Sequence, residues 1–226
     1  MTVLSIDFET RATVDLRATG VYPYAMHKDT DLWCFAWAFD DEEPAIWHPG
    51  MLAVPERFYG HVLEGGEMRA WNAAFERIIW KYILTPRYGF PEPAMDQWVC
   101  SAAEAAAMSL PRSLDQCSRV TGVAQQKDQD GYSLMLRMTR PRKVHPDGRI
   151  EWWEVEDRKQ KLYEYCRQDV RTERAITKVL RRLTPREREI YLHTELKNDR
   201  GIHLDRELVV AARAIADEGI ARANAA

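Results

Sequence analysis

From Thr2 to Glu9 apolar and polar residues alternate: Leu4, Ile6 and Phe8 fall on one side, Val3, Ser5, Asp7 and Glu9 on the other. A period of two is that of a strand with one face on the core. Residues 11–30, with Gly20 and Pro23 among polar side chains, read as loop. Leu32 to Phe39 is apolar and aromatic and reads as a buried strand; Ala45 to His48 reads as another, ended by Pro49-Gly50. Residues 53–64 suit a helix broken by Gly65-Gly66, and Met68 to Trp71 a short strand. The period then lengthens. Residues 73–84 place Phe75, Ile78, Ile79, Tyr82 and Ile83 on one helical face, before a break from Pro86 to Pro93.

Two helices are expected over 96–108 and 112–121, separated by Pro111, then an irregular stretch over 122–155. A long helix over 157–183 follows, with an apolar stripe of Leu162, Tyr165, Ile176, Leu180 and Leu183. Thr184-Pro185-Arg186-Glu187 has the form of a capping box with proline at the first helical position, so a new helix begins there and runs to about 198. Arg200-Gly201 breaks it, and Asp205 caps a last helix. Strands first and helices later, with one strand–helix–strand alternation, predict an α/β fold: a mixed sheet covered by helices.

The chain has 226 residues, 46% of them hydrophobic, enough for one main domain with an appendage. No apolar run has the length of a membrane span, and the first strand begins too early to leave room for a signal peptide. Cys34, Cys100, Cys117 and Cys166 lack C-x-x-C or zinc-ligand spacing and read as reduced, buried thiols. A net charge of −3 argues against coating duplex DNA by bulk electrostatics. It leaves room for a site that holds one strand end around metal ions.

Three segments carry candidate chemistry. Asp7 and Glu9 lie two apart on a strand and share a face, a separation that suits a hard cation such as magnesium or manganese. Taken alone, such a pair is more often a solvated strand end. Tyr165 and Asp169 are helical neighbours at i and i+4, and Asp169 falls within the apolar stripe. A carboxylate facing the core needs an arginine, a backbone amide or a metal. Glu76 follows Asn72 in the first turn of a helix, where the helix dipole alone would favour it.

In this order the segments resemble the proofreading exonuclease domain of family A DNA polymerases, within the DEDD exonucleases. Asp7 and Glu9, followed by Thr10, match the D-x-E motif; Asn72, Phe75 and Glu76 match N-x-x-(F/Y)-D; Tyr165 and Asp169 match Y-x-x-x-D, whose tyrosine marks the DEDDy branch. Glu76 departs from the usual aspartate and is similar to the F-E of phage-type members. Asp96 and Ala102 resemble the helix start that follows the second motif, with Gln97 for its threonine. The likeness covers about residues 2–183, and the stretch from Glu195 to Asp205 resembles the segment leading into the polymerase thumb.

This resemblance implies a ribonuclease H-like exonuclease domain over 1–183 and a helical extension over 184–226. It implies two divalent cations, magnesium or manganese, held by Asp7, Glu9, Glu76 and Asp169, with Tyr165 orienting the attacking water. Thr10 and Asn72 would touch the terminal nucleotide. Phe8 points the other way by alternation, and the basic run of Arg137, Arg140, Arg142 and Lys143 offers phosphate contacts or simply a solvated loop. The implied partner is the 3′ end of single-stranded DNA, with a polymerase as protein partner. The expected setting is the cytoplasm, for a bacterial or phage-encoded protein, with no membrane attachment. The competing expectations are an RNA exonuclease of the ribonuclease D type, a silent strand-binding module weakened at Glu76, and an interaction protein with ordinary surface acids.

Overall fold

A computed structural model describes residues 2–51, 55–125 and 129–225. Its centre is a mixed five-stranded sheet in the order β3-β2-β1-β4-β5, flanked by helices, the α/β architecture of a ribonuclease H-like fold. The strands are β1 (Val3–Arg11), β2 (Asp31–Phe39), β3 (Ala45–Trp47), β4 (Glu67–Ala70) and β5 (Trp98–Cys100). β1, β2 and β3 pair antiparallel, whereas β4 and β5 run parallel to β1.

The two faces of this sheet are unlike. On one, Phe8 packs against Phe35 and Trp80, and Phe35 in turn meets Trp47, Phe58 and Phe90. Phe58 comes from α3 (Glu56–Leu63). Each ring pair adds roughly 0.5–1.5 kcal/mol beyond its burial, so this face anchors the sheet. On the other, Cys34, Ala36 and Ala38 of β2 make a floor of small side chains. The long helix α9 (Glu156–Thr177) packs on that floor through Tyr163, Cys166 and Val170. Small residues beneath a helix let its backbone approach the sheet, and here the helix lies over Asp7.

The helix after β4 begins as α4 (Ala74–Ile79), widens into a π-turn over Trp80–Leu84 and finishes as α5 (Thr85–Tyr88). The expected break at Pro86 is therefore displaced to Gly89, which ends the helix at φ 73°. Proline supplies no N–H and crowds the carbonyl four residues back; a wider turn before it relieves both demands. Beyond the π-turn, Arg87 donates to the Thr30 carbonyl at 2.6 Å and Tyr88 to Asp31 at 2.7 Å.

Several other expectations need correction. Residues 11–30 hold α1 (Leu16–Thr19) and α2 (Val21–Met26) rather than loop alone. Asp15 caps α1 by accepting from the Arg17 and Ala18 amides, and Pro23 falls in the first turn of α2, where its missing N–H costs nothing. The helix expected over 96–108 is a 3-10 turn (Met95–Gln97), the strand β5 and then α6 (Ser101–Ala107). Asp96 therefore does not start the helix: pairing with β4 claims Trp98–Cys100 as strand, and the alanine run is helical only from Ser101 onward. Next comes α7 (Leu114–Thr121), with Ser113 as its cap.

The stretch 122–155, read as irregular, contains α8 (Gln129–Met138) and a hairpin of β6 (Lys143–Val144) and β7 (Ile150–Glu151). α9 stops at Thr177 instead of continuing to 183, although Leu180 still packs with Ala105, Leu114 and Ile176. Residues 53 and 54 of the expected helix, and 126–128, lie outside the described residues.

Residues Met1–Thr184 form one compact unit and Pro185–Ala226 a second. The second consists of α10 (Pro185–Arg200) and α11 (Arg206–Ala225). Gly201, at φ 70°, separates them, and Asp205 caps α11 through the Leu208 amide at 3.0 Å. All four cysteines are buried and free, and no described helix is long and apolar enough to cross a membrane.

The small-residue floor yields a test. Replacing the fully buried Ala36 with leucine should cost about 1–3 kcal/mol by overpacking beneath α9. Urea unfolding of the two proteins measures it, and an unchanged midpoint would show that the helix does not press on the floor.

Candidate active site

Asp7, Glu9, Thr10, Asn72, Glu76, Tyr165 and Asp169 all line one cleft of about 660 Å³. They come from three places in the fold: β1, the turn from β4 into α4, and α9. Each place has its own local cause.

On β1, Asp7 pairs with Ala36 and Glu9 with Cys34, so both carboxylates rise from the small-residue face toward α9. The register shifts between Glu9 and Thr10: Glu9 is opposite Cys34 and Thr10 opposite Leu32, leaving Trp33 as the extra residue of β2. A bulge of this kind re-aims side chains. Here the Trp33 indole packs with Leu162, Tyr165 and Met138, and donates to the Met138 carbonyl at 2.9 Å. Thr10 shares a buried hydrogen bond of 2.8 Å with the Tyr24 hydroxyl, tying the end of β1 to α2.

At the second place, Asn72 has φ 66°, a left-handed conformation that asparagine tolerates better than most residues. Its carbonyl accepts from the Phe75 amide at 2.9 Å, and the chain turns at once into α4. That turn leads Glu76 inward rather than to the dipole-favoured surface position. Glu76 is only 3% exposed, and its Oε2 has no hydrogen-bond partner. Burial, and next the charge of Asp7, push its carboxyl well above the ordinary value of 4.5. A carboxylate held this way waits for a proton or a cation.

On α9, Tyr165 and Asp169 are both buried, as the helical stripe predicted. Burial, and then the charges of Asp169, Glu9 and Asp7, hold the Tyr165 phenol protonated far above its usual range. A protonated phenol is a hydrogen-bond donor at every working pH. One residue on, the Cys166 thiol donates toward the Asp7 carbonyl at 3.3 Å and its Oδ2 at 3.4 Å. Behind the cleft, Glu173 accepts from Ser101 at 2.6 Å. Burial lifts its carboxyl to about 7, with the Ser101 hydrogen bond and Arg69 opposing. Arg69 also donates to Glu104 at 2.6 Å, and this buried network joins β4 and α6 to α9.

The same cleft has walls that sequence reasoning missed. Tyr132, Met135, Leu136, Thr139 and Arg140 form one side, all from α8 and its end. Their helix was hidden in a stretch with no sustained apolar period. Of the basic run, Arg140 alone lines the cleft, pairing with Asp15 at 2.6 Å, while Arg142 lies over the Trp153 ring. Cys166 was read only as a buried thiol, and its position between Tyr165 and Asp169 was the signal available.

No family model matches this chain. It is similar to the DNA polymerase of Bacillus phage SP02, with 31% identity over 227 residues, covering 92% of this chain. The chain spans 33% of the length of that relative. It is thus related to part of a phage DNA polymerase.

The buried Glu76 predicts a pH effect in chelator-treated protein. Its folded carboxyl binds protons more tightly than the unfolded one, so stability falls as pH rises above about 4.5 and keeps falling until the folded value is passed. Glu76→Gln should flatten that slope between pH 5 and 8 in urea titrations. Equal slopes for the two proteins would mean that the carboxylate is not strained.

Proposed function

We propose that this chain is a metal-dependent 3′→5′ exonuclease that hydrolyses the terminal phosphodiester of a DNA strand and releases nucleoside 5′-monophosphates. The observation that carries this reading is the meeting of Asp7, Glu9, Glu76 and Asp169 in one cleft, with a buried Glu76 oxygen lacking any partner. Four carboxylates gathered with a phenol fit the hard-cation chemistry of phosphoryl transfer. Residues 1–183 would be the exonuclease domain and 184–226 the helical extension. The similarity to a phage DNA polymerase supports a DNA substrate and a proofreading role beside a polymerase, in the cytoplasm of a bacterial or phage-infected cell.

Asp7, Glu9 and Asp169 would hold one divalent cation, magnesium or manganese, and Asp7 with Glu76 a second. When bound, the pair supplies the charge that activates water and stabilises the departing 3′ oxygen. The rest of the chemistry belongs to the chain. Water attacks the terminal phosphorus and the bond from phosphorus to the 3′ oxygen breaks. The departing oxygen takes up a proton, and the water's own proton passes to solvent. Tyr165, kept as the neutral phenol, donates a hydrogen bond that aims the water. Thr10, fixed by Tyr24, and Asn72 hold the terminal nucleotide. Tyr132, Met135 and Leu136 give its base an apolar wall, and Arg140 offers its guanidinium to a phosphate.

An end-labelled single strand incubated with manganese or magnesium should shorten stepwise from its 3′ end, and excess chelator should stop it. Asp7→Ala should abolish the digestion while the circular-dichroism spectrum is retained; full activity in that variant would rule out the site. Tyr165→Phe should slow single-turnover cleavage by about 10²-fold, the cost of a misaimed reactant. Matched DNA and RNA strands, run side by side, distinguish the DNA reading from ribonuclease D-type action.

A further inference from the structure

Arg140 lines the cleft, and Arg142 follows it by two residues, so their backbones lie within about 7 Å of each other. The Arg142 amide donates to the Glu151 carbonyl at 2.7 Å, which fixes it at the base of the hairpin of β6 and β7. Its guanidinium lies 5.9 Å from the centre of the Trp153 ring, and that of Arg158, in the first turn of α9, lies 4.7 Å from the same ring. Trp153 in turn packs on the cluster that holds Tyr165. Two cations thus share one indole, which positions them and leaves their charge intact. The carboxylates of this stretch are engaged by other groups: Asp147 by Arg149, Glu151 by His145, Glu154 by Arg11 and Lys159, and Glu156 by Gln160. Among the described residues, neither Arg142 nor Arg158 has a carboxylate within ion-pair distance, and Arg158 Nη1 has no hydrogen-bond partner. Arg142 is exposed and Arg158 half-buried, so an anion from solvent can reach the pair.

We propose that Arg142 and Arg158, gathered around Trp153, bind a backbone phosphate of the single strand upstream of the nucleotide held in the cleft. A guanidinium is planar and presents forked donors that match phosphate oxygens, and two of them without a protein anion are relieved of mutual repulsion when a phosphate arrives. The contact reads no base sequence. It tightens the binding of strands that extend past Arg140 and does nothing for the shortest ones. The direction of the strand rests on the exonuclease reading; the phosphate contact stands on the two arginines.

The test is fluorescence anisotropy of the full, chelator-treated chain with a labelled single strand of DNA about 12 nucleotides long, repeated over a salt series. The slope of log affinity against log salt should fall by about 0.7 in Arg142→Gln and by about as much again when Arg158→Gln is added. Arg142→Lys and Arg158→Lys, which keep the charge, should restore most of the slope. Arg149→Gln removes an arginine already paired on the same hairpin and should leave the slope unchanged. With manganese, the double glutamine variant should raise KM for the long strand several-fold while kcat, and digestion of a dinucleotide, stay the same. A double variant that binds with the full salt slope, whether or not its thermal melt is lowered, assigns the arginines to structure alone and overturns the proposal. An equal loss of slope in Arg149→Gln overturns it too, as does an unaltered chain that binds no strand. Loss of slope in these variants of a chain that never digests DNA supports the contact and overturns the exonuclease reading instead.

Discussion

Carboxylates that share a cleft repel one another, and their repulsion grows as water is removed. Asp7, Glu9, Glu76 and Asp169 are in that position, with Glu76 and Asp169 almost wholly shielded from solvent. Arg69 is committed to Glu104 and Glu67, and Arg171 to Glu164 and Glu43. Burying Glu76 beside Asp7 disfavours its charged form, and the surrounding structure must be rigid enough to hold it there. This strain separates the cleft from ordinary surface acids, whose charges are relaxed by water.

Two unlike faces of one sheet supply the rigidity. The aromatic face, with Phe8, Phe35, Phe58 and Trp80 in mutual contact, fixes β1 from below. The alanine and cysteine floor on the other side brings α9 down onto Asp7. Had both faces been lined with large side chains, α9 would stand farther off and Asp169 would not share a cleft with β1. Behind them, the Arg69–Glu104–Ser101–Glu173 network joins β4, α6 and α9; breaking such a buried ion pair costs about 3–5 kcal/mol.

Much of this was legible in the chain. Period-two alternation placed Asp7 and Glu9 on the face opposite Phe8, and the helical stripe placed Asp169 inside; both hold because a single buried face dominates each element. β5 was not legible, since three residues before an alanine-rich run carry too little pattern, and parallel pairing with β4 decides their state. α8 escaped notice because it mixes polar and apolar residues and takes its order from packing on α9. The inward turn of Glu76 depends on the left-handed backbone of Asn72, a conformation that composition cannot announce.

The π-turn at Trp80–Leu84 carries one last consequence. A turn that holds an additional residue rotates everything after it relative to everything before. The start of this helix, which aims Glu76, and its end, which clamps Arg87 and Tyr88 to the beginning of β2, are thereby set to independent angular phases. A regular helix of the same length would carry Arg87 and Tyr88 to another direction around its axis and leave that outer clasp unmade.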